Sequence, residues 1–179
     1  MRILLTILAS VGLIAPAGAT TLLKMSMNDL IVQSTAIVRA RVTGSRSTMI
    51  GQDIYTYYQL QVSEALKGTS VPAEVAVPGG VYGHIRQIGV GSPVLTPGQE
   101  YVLFLWTSRR GMTQLIGLSQ GILSLAEDAS GAMVAGRAVI DDQMLNHAGK
   151  PVTDTAVSMK WTDLRAQIAK TLREPAVKK

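Results

Sequence analysis

The chain contains no cysteine among its 179 residues. This absence excludes disulfide bonds, a thiol nucleophile, thiolate metal sites and thiol redox chemistry. It also excludes a lipoprotein acylation site, because that modification requires a cysteine side chain. The fold must therefore be stabilised by packing alone, and the length is sufficient for one domain with a substantial core.

Long apolar runs are also scarce, and the only prominent one lies at the start, in MRILLTILASVGLIAPAGA. Arg2 gives this stretch a positive start, Ile3 to Ile14 form its apolar part, and Ala17 to Ala19 resemble a cleavage site. The apolar part is shorter than the ~20 residues that a membrane-spanning helix needs. We therefore predict a signal peptide over residues 1–19, no membrane span, and an exported protein that is periplasmic or extracellular after cleavage.

A basic surface spread over the domain is missing, although the formal net charge is +5. Residues 20–159 carry ten basic and ten acidic side chains, whereas residues 160–179 carry six basic and two acidic ones. Single-stranded nucleic acid binding needs a basic groove, so we predict no nucleic-acid partner. The pattern favours a single domain over residues 20–174, followed by a flexible basic tail over residues 175–179.

Hydrophobic periodicity predicts a helix, at least five antiparallel strands and a second helix. Ser26 is expected to cap the first helix, which runs to about Gln33, and Thr162 to cap the last one. The last helix repeats its apolar residues at Leu164, Ile168 and Leu172. The predicted strands cover residues 36–42, 54–67, 73–77, 101–106, 115–125 and 133–140.

Three segments are predicted to lack long strands because they are rich in glycine or polar residues. Residues 44–52 are expected to form a turn region, residues 79–98 an irregular loop with one short strand near His84 to Arg86, and residues 141–155 a loop.

The run from Tyr101 to Trp106 is apolar on both alternating faces, which is typical of a central strand covered on both sides. A small closed barrel would hide the strand edges, and a sandwich is the alternative.

The segment Gly117–Gly121 reads G-L-S-Q-G and matches the nucleophile pattern of serine hydrolases. Asp141 or Asp142 and then His147 follow in the order of a hydrolase triad. That pattern works when the serine lies on a sharp turn between a strand and a helix, whereas strand-like residues follow Gly121 here. We predict a kinked strand without a catalytic role, and a small serine hydrolase that uses Ser119 and His147 remains the alternative.

The remaining polar residues do not combine into a metal or cofactor site. His84 and His147 are far apart in sequence, and neither has acidic or histidine partners at metal-ligand spacing. Asp141 and Asp142 are adjacent, so their side chains are expected to point apart. We predict no metal, no cofactor and no catalytic residue.

Two groups of residues are candidates for binding. Tyr82, His84 and Arg86 lie in the predicted 79–98 loop, and loops carry binding functions more often than the scaffold does. Tyr55 and Tyr57 share the polar face of a strand with Gln59, Gln61 and Ser63, whereas the other face carries Ile54, Thr56, Tyr58, Leu60 and Val62. Tyrosine is also a common strand residue, so a structural role for the pair is the alternative to ligand stacking.

Three segments carry a resemblance: AIVRARV after a short helix, IYTYYQLQVSEALKG, and GQEYVLFL. Together they resemble the netrin-type module of tissue inhibitors of metalloproteinases, and a broad group of uncharacterised bacterial exported proteins with the same run. The resemblance implies a five-stranded antiparallel OB-like barrel with flanking helices. Those inhibitors bind a protease zinc ion through an N-terminal cysteine, which this chain lacks, so the resemblance assigns no functional residue.

These observations predict an exported, non-enzymatic interaction module that binds a protein or a cell-envelope component through its loops. The signal peptide, the barrel pattern and the lack of a complete catalytic constellation motivate this prediction. The alternatives are the serine hydrolase described above and a peptidase inhibitor.

Overall fold

The structure, a computed structural model, describes residues 21–174. The predicted leader over residues 1–19 and the predicted tail over residues 175–179 lie outside the described residues. The described part forms two α-helices, a 3₁₀ helix and thirteen strands, in the order β1 (Leu22–Leu23), α1 (Met27–Gln33), β2 (Ala36–Ile50), β3 (Asp53–Lys67), β4 (Glu74–Pro78), β5 (Gly80–Tyr82), β6 (Ile85–Gln87), β7 (Glu100–Thr107), β8 (Thr113–Leu115), the 3₁₀ helix (Leu118–Gly121), β9 (Ile122–Glu127), β10 (Met133–Arg137), β11 (Met144–Leu145), β12 (Pro151–Val152), β13 (Val157–Lys160) and α2 (Trp161–Arg173).

Helix α1 begins and ends where the sequence predicts. The Ser26 hydroxyl accepts a hydrogen bond from the Asp29 backbone N–H at 3.1 Å, and the Asp29 carboxylate accepts one from the Ser26 N–H at 2.9 Å. This reciprocal pair satisfies two N–H groups that the helix itself leaves unbonded. Leu30 and Ile31 are buried against the sheet.

Strands β2 and β3 form a long hairpin of two 15-residue strands. The predicted turn region over residues 44–52 is wrong, because β2 continues to Ile50 and only Gly51 and Gln52 separate the strands. Register shifts after Ile37, Arg39 and Val42 interrupt the pairing and change the phase of the side chains. The shift between Val42 and Gly44 lies where simple alternation ends in the sequence.

Eight strands form the main sheet, in the order β13-β10-β9-β7-β2-β3-β4-β8, and β8 also pairs with β7. The five strands β2, β3, β4, β8 and β7 therefore pair in a cycle, each with the next. The pairings in this cycle are antiparallel except for β4–β8, a single parallel pair between Ala76 and Gln114. Strand β7 also pairs with β9, which connects the cycle to β10 and β13.

Strand β7 is buried on both faces, as its sequence predicts, because its side chains enter two separate cores. The inner core gathers side chains of the paired strands and one loop residue: Val38, Ala40, Val42, Tyr58, Val75, Val77, Leu95, Tyr101, Leu103 and Leu105, with others. The helix-side core joins both helices to the sheet: Leu30, Ile31, Ile37, Val102, Phe104, Leu123, Leu125, Ala135, Trp161, Leu164 and Ile168.

Helix α2 differs from the prediction in its first residue and in the length of its buried stripe. It begins at Trp161, one residue before the predicted cap Thr162, whose hydroxyl bonds the neighbouring Asp163 carboxylate at 3.4 Å instead. Leu164 and Ile168 are buried, but Leu172 is 40 % exposed, so the buried stripe ends one repeat early. The apolar period therefore predicts the buried face correctly and overestimates its length.

Two other predicted irregular segments contain short strands. Residues 79–98 hold β5 and β6, and residues 141–155 hold β11 and β12, of which β11 pairs in parallel with β1. Conversely, the strand predicted over residues 115–125 is interrupted by the 3₁₀ helix, and that predicted over residues 133–140 ends at Arg137. The prediction of a mainly β fold with a short N-terminal helix and a C-terminal helix is confirmed.

Candidate functional site

The 79–98 loop connects β4 to β7 and contains the β5–β6 hairpin, which forms a separate two-stranded sheet. Val81 faces Arg86 and Tyr82 faces Ile85 across the two strands. Gly83 and His84 form the two-residue turn between them, so the predicted single strand near His84 is in fact two strands with His84 at the tip.

The base of the hairpin is fixed to the start of β3. The Thr56 hydroxyl donates to the Gly79 carbonyl oxygen at 2.8 Å, and the Gly79 N–H donates to the Ile54 carbonyl oxygen at 2.7 Å. The Gln87 side chain accepts from the Ile54 N–H and donates to the Asp53 carboxylate. The hairpin therefore has a defined position relative to the sheet.

The second half of the 79–98 loop is also held by specific contacts. Leu95 is fully buried in the inner core, and the Thr96 N–H donates to the Tyr101 hydroxyl at 3.0 Å. The Gly91 carbonyl oxygen accepts a hydrogen bond from the Ser119 hydroxyl at 2.7 Å. Both ends of the loop are thus fixed, and the segments that project are the hairpin and the stretch around Ile88 and Val94.

The projecting segments expose large apolar side chains, which we call the apolar loop surface. It consists of Val81 (52 % exposed), Tyr82 (48 %), Ile85 (54 %), Ile88 (81 %), Val90 (49 %) and Val94 (83 %). Isolated exposed apolar residues are common, but clustered ones are typical of an interaction site, and Val81, Ile88 and Val94 line one depression. The surrounding sequence is unusual in charge as well, because no Asp or Glu occurs from Val75 to Gln99.

The predicted binding residues divide into two separate groups. Tyr82, His84 and Arg86 lie together in the hairpin and are all exposed. Tyr55 and Tyr57 are half-buried on β3. They project from the face opposite to Thr56, which contacts the hairpin base, because successive side chains of a strand alternate. The hairpin group and the strand pair therefore belong to different surfaces.

Tyr57 is already engaged by neighbouring side chains. Arg46 lies opposite it on β2, with the guanidinium carbon 4.5 Å from the ring centroid. The same guanidinium donates to both carboxylate oxygens of Glu74, at 3.0 and 2.9 Å. Tyr57 and Glu74 border a groove of about 450 Å³ whose other walls come from the β3–β4 and β7–β8 connections. One face of the ring is thus covered by Arg46.

The Gly117–Gly121 segment performs a structural role at its polar positions. Gln120 is buried, accepts from the Met25 N–H at 2.8 Å and donates to the Leu23 carbonyl oxygen at 2.9 Å, which ties the segment before α1 to the 3₁₀ helix. A side chain at Gly121 would overlap the Ile116 carbonyl oxygen. The Ser119 hydroxyl donates to the Gly91 carbonyl oxygen. Hydrogen bonding or packing therefore explains why Ser119, Gln120 and Gly121 occupy their positions.

His147 lies in the exposed turn between β11 and β12, where the Gly149 N–H bonds the Asn146 carbonyl oxygen at 2.9 Å. Among residues 21–174 no hydrogen bond joins His147 to Ser119. The same residues contain no group of three or more His, Asp or Glu side chains placed to hold a metal ion. In that described range, neither helix is long and apolar enough to cross a bilayer.

No protein-family model matches this chain, and no curated protein is significantly similar to it. The candidate site therefore rests on geometry alone. Sequence reasoning identified Tyr82, His84 and Arg86 but missed Ile88 and Val94, the most exposed apolar residues of the loop. The signal that would have identified them is the combination of aliphatic residues with a complete lack of acids across residues 75–99.

Proposed function

We propose that the protein is an exported, non-enzymatic interaction module that binds a protein or a cell-envelope component through its 79–98 loop. The observation that carries this proposal is the apolar loop surface. Its side chains are exposed although the loop backbone is fixed at Gly79, Gly91 and Leu95. A surface that is ordered before binding loses less conformational entropy when a partner arrives.

We also propose that β2, β3, β4, β8 and β7 form a five-stranded OB-like barrel. The cyclic pairing of these strands supports this assignment, because closure removes exposed strand edges. OB barrels are partly open, which agrees with the single pair that joins β4 to β8. The inner core would fill the barrel, and the β5–β6 hairpin would lie over one of its ends.

The contacts of Ser119 support a function without serine chemistry. A nucleophilic serine needs a base within hydrogen-bond reach, which in this chain would be His147. The Ser119 hydroxyl instead donates to the Gly91 carbonyl oxygen and helps to hold the loop. We expect a fluorophosphonate probe to leave the protein unlabelled, and labelling at Ser119 would contradict this part of the proposal.

The proposal is tested by affinity capture with protein that begins at Thr20. Wild-type protein and an Ile88→Ser/Val94→Ser variant are incubated with an envelope extract, and the bound components are identified by mass spectrometry. The control is Val71→Ser/Val139→Ser, since Val71 and Val139 are exposed apolar residues (52 % and 50 %) that lie outside the loop. We expect the loop variant to lose components that wild type and the control retain. Equal recovery with all three proteins would contradict a role for the loop.

A further inference from the structure

We propose that the partner of the apolar loop surface is a phospholipid bilayer, into whose interfacial layer the β5–β6 hairpin inserts. This inference rests on the proposed function and names the partner of the same loop. It is argued from the distribution of apolar side chains, the charge of the segment and the dimensions of the hairpin.

The hairpin carries exposed apolar side chains on both of its faces. Tyr82 and Ile85 face each other on one side, and Val81 lies with Arg86 on the other. Ile88 and Val94 line the same depression as Val81. A docked protein would cover one face of such a ribbon, whereas a lipid environment surrounds both. The two-sided exposure therefore favours insertion over docking.

The charge of the segment suits an anionic headgroup layer. The sequence from residue 75 to residue 99 contains no acidic side chain, and its basic side chains are those of His84 and Arg86. The nearby carboxylates lie away from the tip: that of Asp53 bonds Gln87 at the hairpin base, and that of Asp142 lies beside Gly91. An arginine among exposed apolar residues can bind a lipid phosphate while its stem remains in the apolar layer.

The dimensions of the hairpin match the interfacial layer. Strands of three residues extend about 10 Å, at ~3.3 Å per residue, and interfacial elements are buried ~5–10 Å deep. A strand that crosses a bilayer needs ~9–11 residues. Strands β5 and β6 form a two-stranded sheet, so the backbone groups on their outer edges have no neighbouring strand; such groups require water or headgroups and prevent deeper entry. Tyr82 belongs to the residue types enriched at this depth.

The first test uses the lack of cysteine in the chain. A His84→Cys variant carries a single environment-sensitive fluorophore at the hairpin tip, and a Val71→Cys variant carries it in the connection between β3 and β4. Vesicles of phosphatidylethanolamine and phosphatidylglycerol are then added. We expect a blue shift of the emission for the hairpin label and none for the control. No shift at position 84, or equal shifts at both positions, would overturn the proposal.

The second test measures flotation with the same vesicles at low and high salt. We expect Tyr82→Ser/Ile85→Ser to reduce the partition coefficient at least ~10-fold, because apolar area is removed from the inserted hairpin. The matched double control Val71→Ser/Val139→Ser should float like wild type. Binding of the wild type should persist at high salt, since screening weakens attraction by the basic C-terminal residues but not apolar insertion. Binding that salt abolishes in every variant would refute insertion.

The two tests separate this inference from the function on which it rests. If the wild type fails to float but the Ile88→Ser/Val94→Ser variant still loses an envelope protein in the capture experiment, the bilayer proposal is wrong and the interaction module stands. If neither vesicles nor captured components depend on the loop, both are wrong. Circular dichroism and thermal unfolding of each variant verify that it folds, so a loss of binding reports the surface itself.

Discussion

Helix α2 and the β5–β6 hairpin are both small peripheral elements rich in apolar residues, yet the sheet buries only one of them. In α2 the apolar residues follow a helical stripe, and Trp161, Leu164 and Ile168 are buried in the helix-side core. In the hairpin they occupy both faces, and Val81 and Ile85 are about half exposed. A stripe can be covered by one neighbouring layer, whereas a hairpin with apolar side chains on both faces cannot.

The charged side chains of the two elements also differ in whether they form ion pairs. The outer face of α2 carries charges that pair with the fold, such as Arg165 with Glu64 at 2.7 Å. The hairpin has one arginine and no acidic residue, and Arg86 forms no salt bridge among residues 21–174. The apolar and charged side chains of α2 thus find their contacts within the protein. The hairpin instead has the composition of a surface that binds a partner.

The largest expected effect compares one residue type in the two settings. Ile168→Ala should lower the free energy of unfolding by about 3 kcal/mol, because it leaves a cavity in the helix-side core. Ile88→Ala should change it by less than about 0.5 kcal/mol, because this side chain is 81 % exposed. Urea denaturation measures both. Similar losses for the two variants would show that the loop is packed as tightly as the core.

The second prediction extends the contrast to charged groups. The Arg137–Asp154 pair is largely buried, with side-chain exposures of 13 % and 3 %. Asp154→Asn should destabilise the protein by about 3 kcal/mol at neutral pH, since a buried arginine loses its counter-charge. Chemical denaturation at pH 7 provides the value. A loss below about 1 kcal/mol would mean that Arg137 is satisfied without this carboxylate.

The same pair predicts a pH dependence. Burial by itself would raise the pKa of Asp154, but the hydrogen bonds from Arg137 and the Ile140 N–H hold the pKa below its ordinary value. A lowered folded-state pKa contributes stability above the unfolded pKa of ~3.9, and this contribution is lost as the pH falls through the folded pKa. Stability below pH ~4 should therefore decline less steeply in Asp154→Asn than in wild type. Parallel acid transitions would contradict the assignment.

The third prediction concerns the contact between the base of the β5–β6 hairpin and β3. Gly80 has a φ of +139°, and a side chain there would lie 2.7 Å from the Ser47 hydroxyl and closer still to that of Thr56. Gly80→Ala should cost about 1–2 kcal/mol and displace the hairpin from β3. Gly51→Ala, at a positive φ with no neighbour within 4 Å, serves as the control. Thermal unfolding compares them, and vesicle flotation should weaken only for Gly80→Ala.

The smallest expected effect concerns the exposed counterpart of the buried pair. The side chains of Arg46 and Glu74 are 51 % and 39 % exposed. Glu74→Gln should change the free energy of unfolding by less than about 1 kcal/mol, because solvent screens an exposed pair. Urea denaturation at low and high salt measures the difference. A loss comparable to that of Asp154→Asn would remove the distinction between the two pairs.

Much of the architecture follows from local sequence signals. The capping of α1 by Ser26, the long β3 strand and the two-sided burial of β7 are local patterns, and each is confirmed. The errors arise where non-local contacts decide. Strand β2 extends beyond Val42 because β3 pairs with it as far as Ile50, and the register shift between Val42 and Gly44 disturbs the alternation by which a strand is recognised.

The candidate site was predictable in its location and only partly in its chemistry. Glycine-rich composition predicts a loop at residues 79–98, and Tyr82, His84 and Arg86 are exposed there. Tyr57 could not be assigned from the sequence, because its ring is covered by Arg46, a residue of the segment predicted as a turn. The exposure of Ile88 could not be predicted from the sequence either, since an aliphatic residue is more often buried than exposed.

The single residue pair that joins β4 to β8, Ala76 with Gln114, has a consequence for local opening of the sheet. Open grooves lie on both sides of the β4–β8 pairing. One is bordered by Glu74 and Thr113 and the other by Val77 and Leu115. A junction with so few backbone hydrogen bonds separates at a lower free energy than the rest of a sheet. Amide hydrogen exchange should therefore be fastest, within the cycle of five strands, along the edge of β4 that faces β8. Local opening of the ring would begin there and leave the long β2–β3 hairpin intact.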